Sequence, residues 1–251
     1  MTRNTTHTNG RFRLGVEQLE SREVPAGLVV TDPVLPEPTG VGESLSNAVF
    51  VTHLYQDVLG RNPDAGGYTG WVNALDAGSL SRVQVADGFL DSTEYRANVL
   101  ISYYATQLGR NPDAGGFNDH MAQLAAGVSR DEVRAKFFGS EEFFNRYGRN
   151  DSAFVAQLYA QILGRTGTVG ELSHWLNVLA QNGGDRTAVA HLFLNSAEYH
   201  QDQVTLAYAA YLHRGPDAPG FVDWNTQLNA GLPVETMTVQ FLGSAEYFVR
   251  L

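Results

Sequence analysis

One phrase is written four times along this chain, and that repetition limits the fold more than any other feature. Each copy opens with a helical run ending in Leu-Gly-Arg or a close variant, which places arginines at Arg61, Arg110, Arg165 and Arg214. Ten residues after each arginine stands a ring: Trp71, His120, Trp175 and Trp224. Each copy closes on a Ser-x-Glu-aromatic signature, at Ser92–Tyr95, Ser140–Phe143, Ser196–Tyr199 and Ser244–Tyr247. Repetition at this period marks a stacked or arrayed architecture rather than a one-off catalytic fold. Residues that recur in every copy are those the unit itself requires.

The copies have a higher order. Copies 1 and 3 are 104 residues apart, and so are copies 2 and 4. Copy 1 opens Phe-Val-Thr-His-Leu-Tyr from Phe50, and copy 3 opens Phe-Val-Ala-Gln-Leu-Tyr from Phe154. Nothing breaks the helical pattern from Ser92 to Leu108 or from Ser196 to Leu212, so the last helix of one copy runs into the first of the next. Between copies 2 and 3 lies Gly148-Arg149-Asn150-Asp151, where glycine ends a helix and Asn or Asp caps another. The expected fold is all-α: a duplicated helical-bundle domain, each half made of two similar helix-loop-helix repeats sharing a long joining helix. The expected domains are 44–148 and 149–251, each long enough for a modest helical core.

Within copy 1, helices are expected at about 46–59 and 65–77, from apolar residues at helical spacing and from Pro63-Asp64 between them. Ser81-Arg82-Val83-Gln84 and Ser129-Arg130-Asp131-Glu132 read as capping boxes for a third helix. No segment alternates as a strand would.

The recurring charges read as structural pairs. Each arginine follows the negative end of one helix, and each glutamate lies in the first turn of another, where an anion is favoured. Contacts are expected for Arg61–Glu94, Arg110–Glu142, Arg165–Glu198 and Arg214–Glu246, and breaking one should cost more than a surface bridge. The large rings Trp71, Trp175, Trp224, Tyr95, Tyr199 and Tyr247 are assigned to the core. Asp64, Asp113 and Asp217 sit in Asn-Pro-Asp-Ala-Gly-Gly loops or a relic of one. They are candidate calcium ligands, but one carboxylate per loop is far short of the roughly six or more oxygens calcium takes. Helix capping is the simpler role, and Thr168 can supply it in copy 3, which lacks the aspartate.

Composition removes several classes. The 251 residues contain no cysteine, which excludes disulfides and Cys-ligated metal. The formal charge of −10 argues against a nucleic-acid partner. Lys136 is the only lysine, so positive charge is carried by arginine, which favours fixed planar ion pairs. No stretch approaches the roughly 20 apolar residues of a membrane span. No H-x-x-x-H pair, G-x-S-x-G elbow, P-loop or dinucleotide fingerprint occurs. No enzyme activity and no cofactor are expected.

Residues 1–27 carry Arg3, Arg11, Arg13 and Arg22 with little periodic core, and 28–43 have the Pro/Gly composition of a linker. This front part is expected to be mobile.

The phrase Leu-Tyr-x-x-x-Leu-Gly-Arg-x-Pro-Asp-x-x-Gly, then Trp, then Phe-Leu-x-Ser-x-Glu-Tyr, runs intact from Leu54 to Tyr95. It resembles the bacterial repeats known as domain of unknown function 4214, which are similar to the helical linker domain of phycobilisomes. The resemblance covers about 46–251. Copy 3 departs from it by lacking Pro-Asp, copy 2 by lacking the Trp and Tyr, and copy 4 by His213 in place of Gly. It implies a helical fold and a secreted or cell-surface setting, and no activity. Leu19-Glu20-Ser21-Arg22-Glu23-Val24-Pro25 resembles a segment at the start of many bacterial surface proteins, which implies export by a non-classical signal. The resulting expectation is a non-enzymatic extracellular or cell-envelope scaffold that binds a protein or surface polymer through its helical faces. A calcium-responsive surface module and an accessory domain for glycan-active enzymes are the alternatives.

Overall fold

The computed structural model describes residues 46–250, so the segments read as a sorting signal and a linker, 1–27 and 28–43, lie outside the described residues. The described residues are helical throughout, with no strand among them. Copy 1 contains α1 (Asn47–Asp57), α2 (Ala65–Asp76), α3 (Arg82–Leu90) and the start of α4 (Thr93–Tyr103). The chain continues from α4 through a π-helical turn, Tyr104–Leu108, into the loop of copy 2. Then follow α5 (Ala114–Ala125), α6 (Arg130–Gly139) and the short α7 (Glu141–Arg146). Copy 3 supplies α8 (Asp151–Ile162), α9 (Val169–Gln181) and α10 (Arg186–Leu194). The unbroken α11 (Ala197–Leu212) leads into α12 (Ala218–Asn229), α13 (Val234–Gly243) and α14 (Ala245–Val249) of copy 4.

Local chemistry sets these boundaries. The serine of each Ser-x-Glu signature is an N-cap. Ser92, Ser140, Ser196 and Ser244 accept from the backbone N–H of Tyr95, Phe143, Tyr199 and Tyr247. Their hydroxyls donate back to the carbonyls of Phe89, Phe137, Phe193 and Phe241. The loop aspartates also cap: Asp64, Asp113 and Asp217 accept from the N–H of Gly67, Gly116 and Gly220 at 2.8–2.9 Å. Thr168 caps α9 in copy 3, within a capping box closed by Glu171.

The residue before each recurring arginine turns the chain out of its helix in the left-handed region. It is Gly60, Gly109 or Gly164 in three copies and His213, at φ 50°, in the fourth. A side chain is disfavoured there by ~1–2 kcal/mol, against an entropy cost of roughly 0.5–1 kcal/mol for introducing glycine. Since His213 is exposed, His213→Gly is expected to raise stability by about 0.5–1 kcal/mol, read as a shifted urea midpoint at unchanged slope.

The apolar core does not divide at residue 148. Phe50, Leu54 and Phe89 of copy 1 share one cluster with Tyr208, Trp224 and Phe241 of copy 4. Phe138 and Phe143 of copy 2 share another with Phe154, Leu158 and Phe193 of copy 3. A smaller cluster lies inside copy 2, around Leu100, Tyr104 and Phe137. The described residues fall in one compact unit, in which the halves expected at 44–148 and 149–251 share their apolar clusters. The reason is the pairing of helices: α3 packs on α13, and α6 packs on α10. Each half buries its apolar faces against the other half, not only within itself.

The closest approaches are made by glycine. A Cβ on Gly243 would lie 2.6 Å from Val83 Cα, and one on Gly139 would lie 2.6 Å from Thr187 Cα. Both clashes are with backbone, which has nowhere to retreat.

Candidate functional site

The recurring residues build the same clamp in each copy. Arg61 donates from Nε and Nη2 to the two oxygens of Glu94 at 2.5 and 2.7 Å. Arg110 grips Glu142 at 2.5 and 2.9 Å, and Arg214 grips Glu246 at 2.6 and 2.8 Å. Arg165 holds Glu198 in the same two-pronged way, with Nη2 at 2.7 Å from Oε2. Such fork-to-fork geometry suits arginine and not lysine.

Two further parts complete the clamp. The guanidinium carbon lies 4.6–4.9 Å from the ring centre of the tyrosine six residues earlier: Tyr55, Tyr104, Tyr159 or Tyr208. The loop aspartate adds a third acceptor, with Asp64, Asp113 and Asp217 at 3.3, 3.1 and 3.0 Å from the arginine. In copy 3, Glu171 reaches back from the first turn of α9 and takes that place, 2.7 Å from Arg165 Nη2. Hydrogen bonds from Arg165 and from Thr168 lower the Glu171 carboxyl to about 2. Burial, and then the Asp64 charge, push the Tyr55 phenol up to about 12. The tyrosines and Glu171 were not singled out from sequence. The constant spacing of six residues before each arginine would have found the tyrosines.

A three-ring stack lies under each clamp. Tyr55, Tyr104, Tyr159 and Tyr208 meet Phe89, Phe137, Phe193 and Phe241 edge-on at 4.8–5.0 Å. Trp71, His120, Trp175 and Trp224 lie tilted on the same phenylalanines at 4.3–5.6 Å. Trp224, Tyr199 and Tyr247 are buried. Trp71, Trp175 and Tyr95 are only half-buried, because they lie at the margins of their clusters.

The clamps are less enclosed than a buried pair would be. Arg110 and Glu142 are 37% and 44% exposed, whereas Arg214 and Glu246 are 25% and 17% exposed. Water therefore screens the first pair strongly, and the sequence-based expectation of a large penalty is confined to the last. Arg214→Met is expected to cost roughly 2 kcal/mol and Arg110→Met about 1 kcal/mol or less, by chemical denaturation.

A second constellation lies where all four copies meet. Arg130 of copy 2 donates from its side chain and its backbone N–H to Glu235 Oε1 of copy 4, at 2.8 and 2.9 Å. Its guanidinium also bonds the Tyr95 hydroxyl of copy 1. Next to it, the Tyr199 hydroxyl of copy 3 donates to Asp131 Oδ1 at 3.0 Å. Burial would lift the Glu235 carboxyl, but the charge and hydrogen bonds of Arg130 outweigh it and hold the group below its ordinary value. Burial and the charge of Glu235 push Asp131 up to about 6, against the opposing pull of Tyr199, Arg134 and Arg130. A carboxyl whose folded pKa lies above its unfolded one loses native stability as pH rises between the two values. The gain in melting temperature from Asp131→Asn should therefore be largest at pH 7 and fade towards pH 4; a gain that is flat across this range would contradict the burial.

The candidate calcium ligands are all committed to other bonds. In each of Asp64, Asp113 and Asp217, one oxygen caps a helix and the other faces the arginine. Among the described residues, no three metal-capable side chains form a group, and no helix is long and apolar enough to cross a membrane. An open groove of ≈ 420 Å³ beside α6 and α10 is lined by Glu132, Lys136, Asp185, His191 and Leu192, among others.

Comparison with curated proteins and with solved structures found no match. A family model does match, over residues 39–99, 101–143 and 134–203, which is more than half of the chain. The phrase that builds the clamps is thus the phrase of a family, and the chain belongs to the family described as Domain of unknown function (DUF4214).

Proposed function

We propose that this chain is a non-enzymatic interaction scaffold, exported to the cell envelope or beyond, that docks a protein or surface polymer through its helical faces. The observation that carries this reading is the fate of the recurring polar residues. Every arginine, glutamate and loop carboxylate that the repeats preserve is spent on holding its own repeat together. What the repeat maintains is therefore a shape, and a maintained shape with variable outer faces is what repeat proteins use for binding. No metal enters this reading, since the loop carboxylates already have partners.

Four large apolar side chains among the described residues are exposed. Val169, Leu192, Leu206 and Val222 all belong to α9–α12, in copies 3 and 4. Among them are the residues whose substitution tests the docking reading.

The test is a crosslinked pull-down of the tagged full-length chain from fractionated source cells. One dominant envelope partner is expected, and it should be lost in a Leu206→Glu/Val222→Glu variant that melts as the parent does. Recovery of the chain alone, in the cytoplasm, would end both the export and the scaffold readings.

A further inference from the structure

The seam between the two halves is built twice from corresponding residues. At one place, the Arg82 guanidinium of α3 lies 3.5 Å from the ring centre of Phe248, and Val83 fits against Gly243. At the other, the Arg186 guanidinium of α10 lies 4.0 Å from the ring centre of Phe144, and Thr187 fits against Gly139. All four of these positions recur 104 residues on: 82 and 186, 83 and 187, 139 and 243, 144 and 248. Each half thus carries one ridge, an arginine followed by a small branched residue, and one seat, a glycine followed by a phenylalanine. Each ridge is received by the seat of the other half. A surface that offers both parts at once is self-complementary in the sense of a two-fold dimer.

We propose that this seam is a docking surface for a second copy of the chain, so that two chains exchange halves through it. Only Tyr147–Asn150 ties the halves together covalently between α7 and α8. Both central residues of that link are in the left-handed region, Gly148 at φ 85° and Arg149 at φ 54°. The arginine is strained there, and a short strained link favours opening and exchange.

The four-copy junction decides which halves pair. Val234 stands where the first half has Arg130, and Glu235 stands where it has Asp131. Two second halves would bring Glu235 against Glu235 with no arginine between them. A first half against a second half restores the Arg130–Glu235 bond. Exchange therefore joins the first half of one chain to the second half of another and rebuilds the same junction twice. The same seam acts wherever the protein resides, so this exchange is independent of the envelope reading.

The test uses the full chain with a protease site inserted between Gly148 and Arg149, cut after folding. One preparation carries an N-terminal tag and the other a C-terminal tag. They are cut, mixed in equal amounts at neutral pH, and captured through the N-terminal tag. The expected result is that about half of the captured second halves carry the C-terminal tag. Arg82→Ala/Arg186→Ala should lower that capture at least tenfold while the uncut variant keeps its helical circular dichroism. In the uncut parent, light scattering should show a dimer fraction that rises with concentration. Cut halves that separate and do not rebind, or that never pass between preparations, would overturn the proposal. So would a double variant that captures as well as the parent, or an uncut parent that stays monomeric at every concentration.

Discussion

Arg130→Met is expected to destabilise the protein by about 3 kcal/mol, more than Arg214→Met, because it strips a partly buried carboxylate of its hydrogen-bonded cation and leaves a second carboxyl facing it. Arg130 is only 16% exposed and Glu235 only 26%. Without the guanidinium, Glu235 and Asp131 face each other with no cation bonded to either, and Tyr95 loses its donor. The loss should appear in urea unfolding at pH 7 and shrink near pH 4, where the stranded carboxylates take up protons. Adding Glu235→Met to Arg130→Met should recover most of it, giving a large coupling energy in a double-mutant cycle. A loss below 1 kcal/mol at pH 7 would mean that water reaches the junction and that the four copies are not held there by charge.

Trp224→Ala should cost about 3–5 kcal/mol, as is usual for deleting a fully buried indole. Trp224 is 1% exposed and lies 5.4 Å from Phe241, ring centre to ring centre. The corresponding changes at half-buried Trp71 and Trp175 should cost roughly half as much, since less apolar area is lost and less cavity is left. Because Trp224 shares a cluster with Phe50, Leu54 and Phe89, its loss should also speed amide exchange in α1 and α3. Exchange confined to α11–α14 would show that copies 1 and 4 unfold separately.

The parts of this structure that were legible in the sequence are those that repetition reports directly. Arg61–Glu94 and its three counterparts recur at nearly fixed spacing, and a residue pair kept at that spacing through four copies is a contact constraint. The caps at Ser81, Ser129 and the loop residues were legible because capping depends on a few neighbouring residues. Copy 3 was harder: Thr168 was readable as a cap, but the third acceptor of Arg165 moves from the loop to Glu171, one turn into the next helix. How the two halves pack was not legible, because neighbours in the chain need not be neighbours in space. A signal for the true packing was present, in the glycines at 139 and 243 where copies 1 and 3 carry Asp91 and Asn195. A glycine inside a helix weakens it, and its use only in alternate copies marks where another backbone comes close. The Arg130–Glu235 bond was beyond reach for a different reason. It occurs once, so repetition gives it no weight.

The pairing of copy 1 with copy 4 also settles how the molecule would carry tension. Phe50 of α1 lies 6.1 Å from Tyr247 and 6.2 Å from Phe248, ring centre to ring centre, and Tyr247 bonds Asp57 at 2.7 Å. The first and last described helices are thus riveted to each other. A pull applied between the two ends of this region would load that rivet first, and the repeats behind it would stay slack until it gave way. In mechanical terms the region is a pendant hung from one point rather than a link in a chain. A cargo attached at either end would hang from the same place.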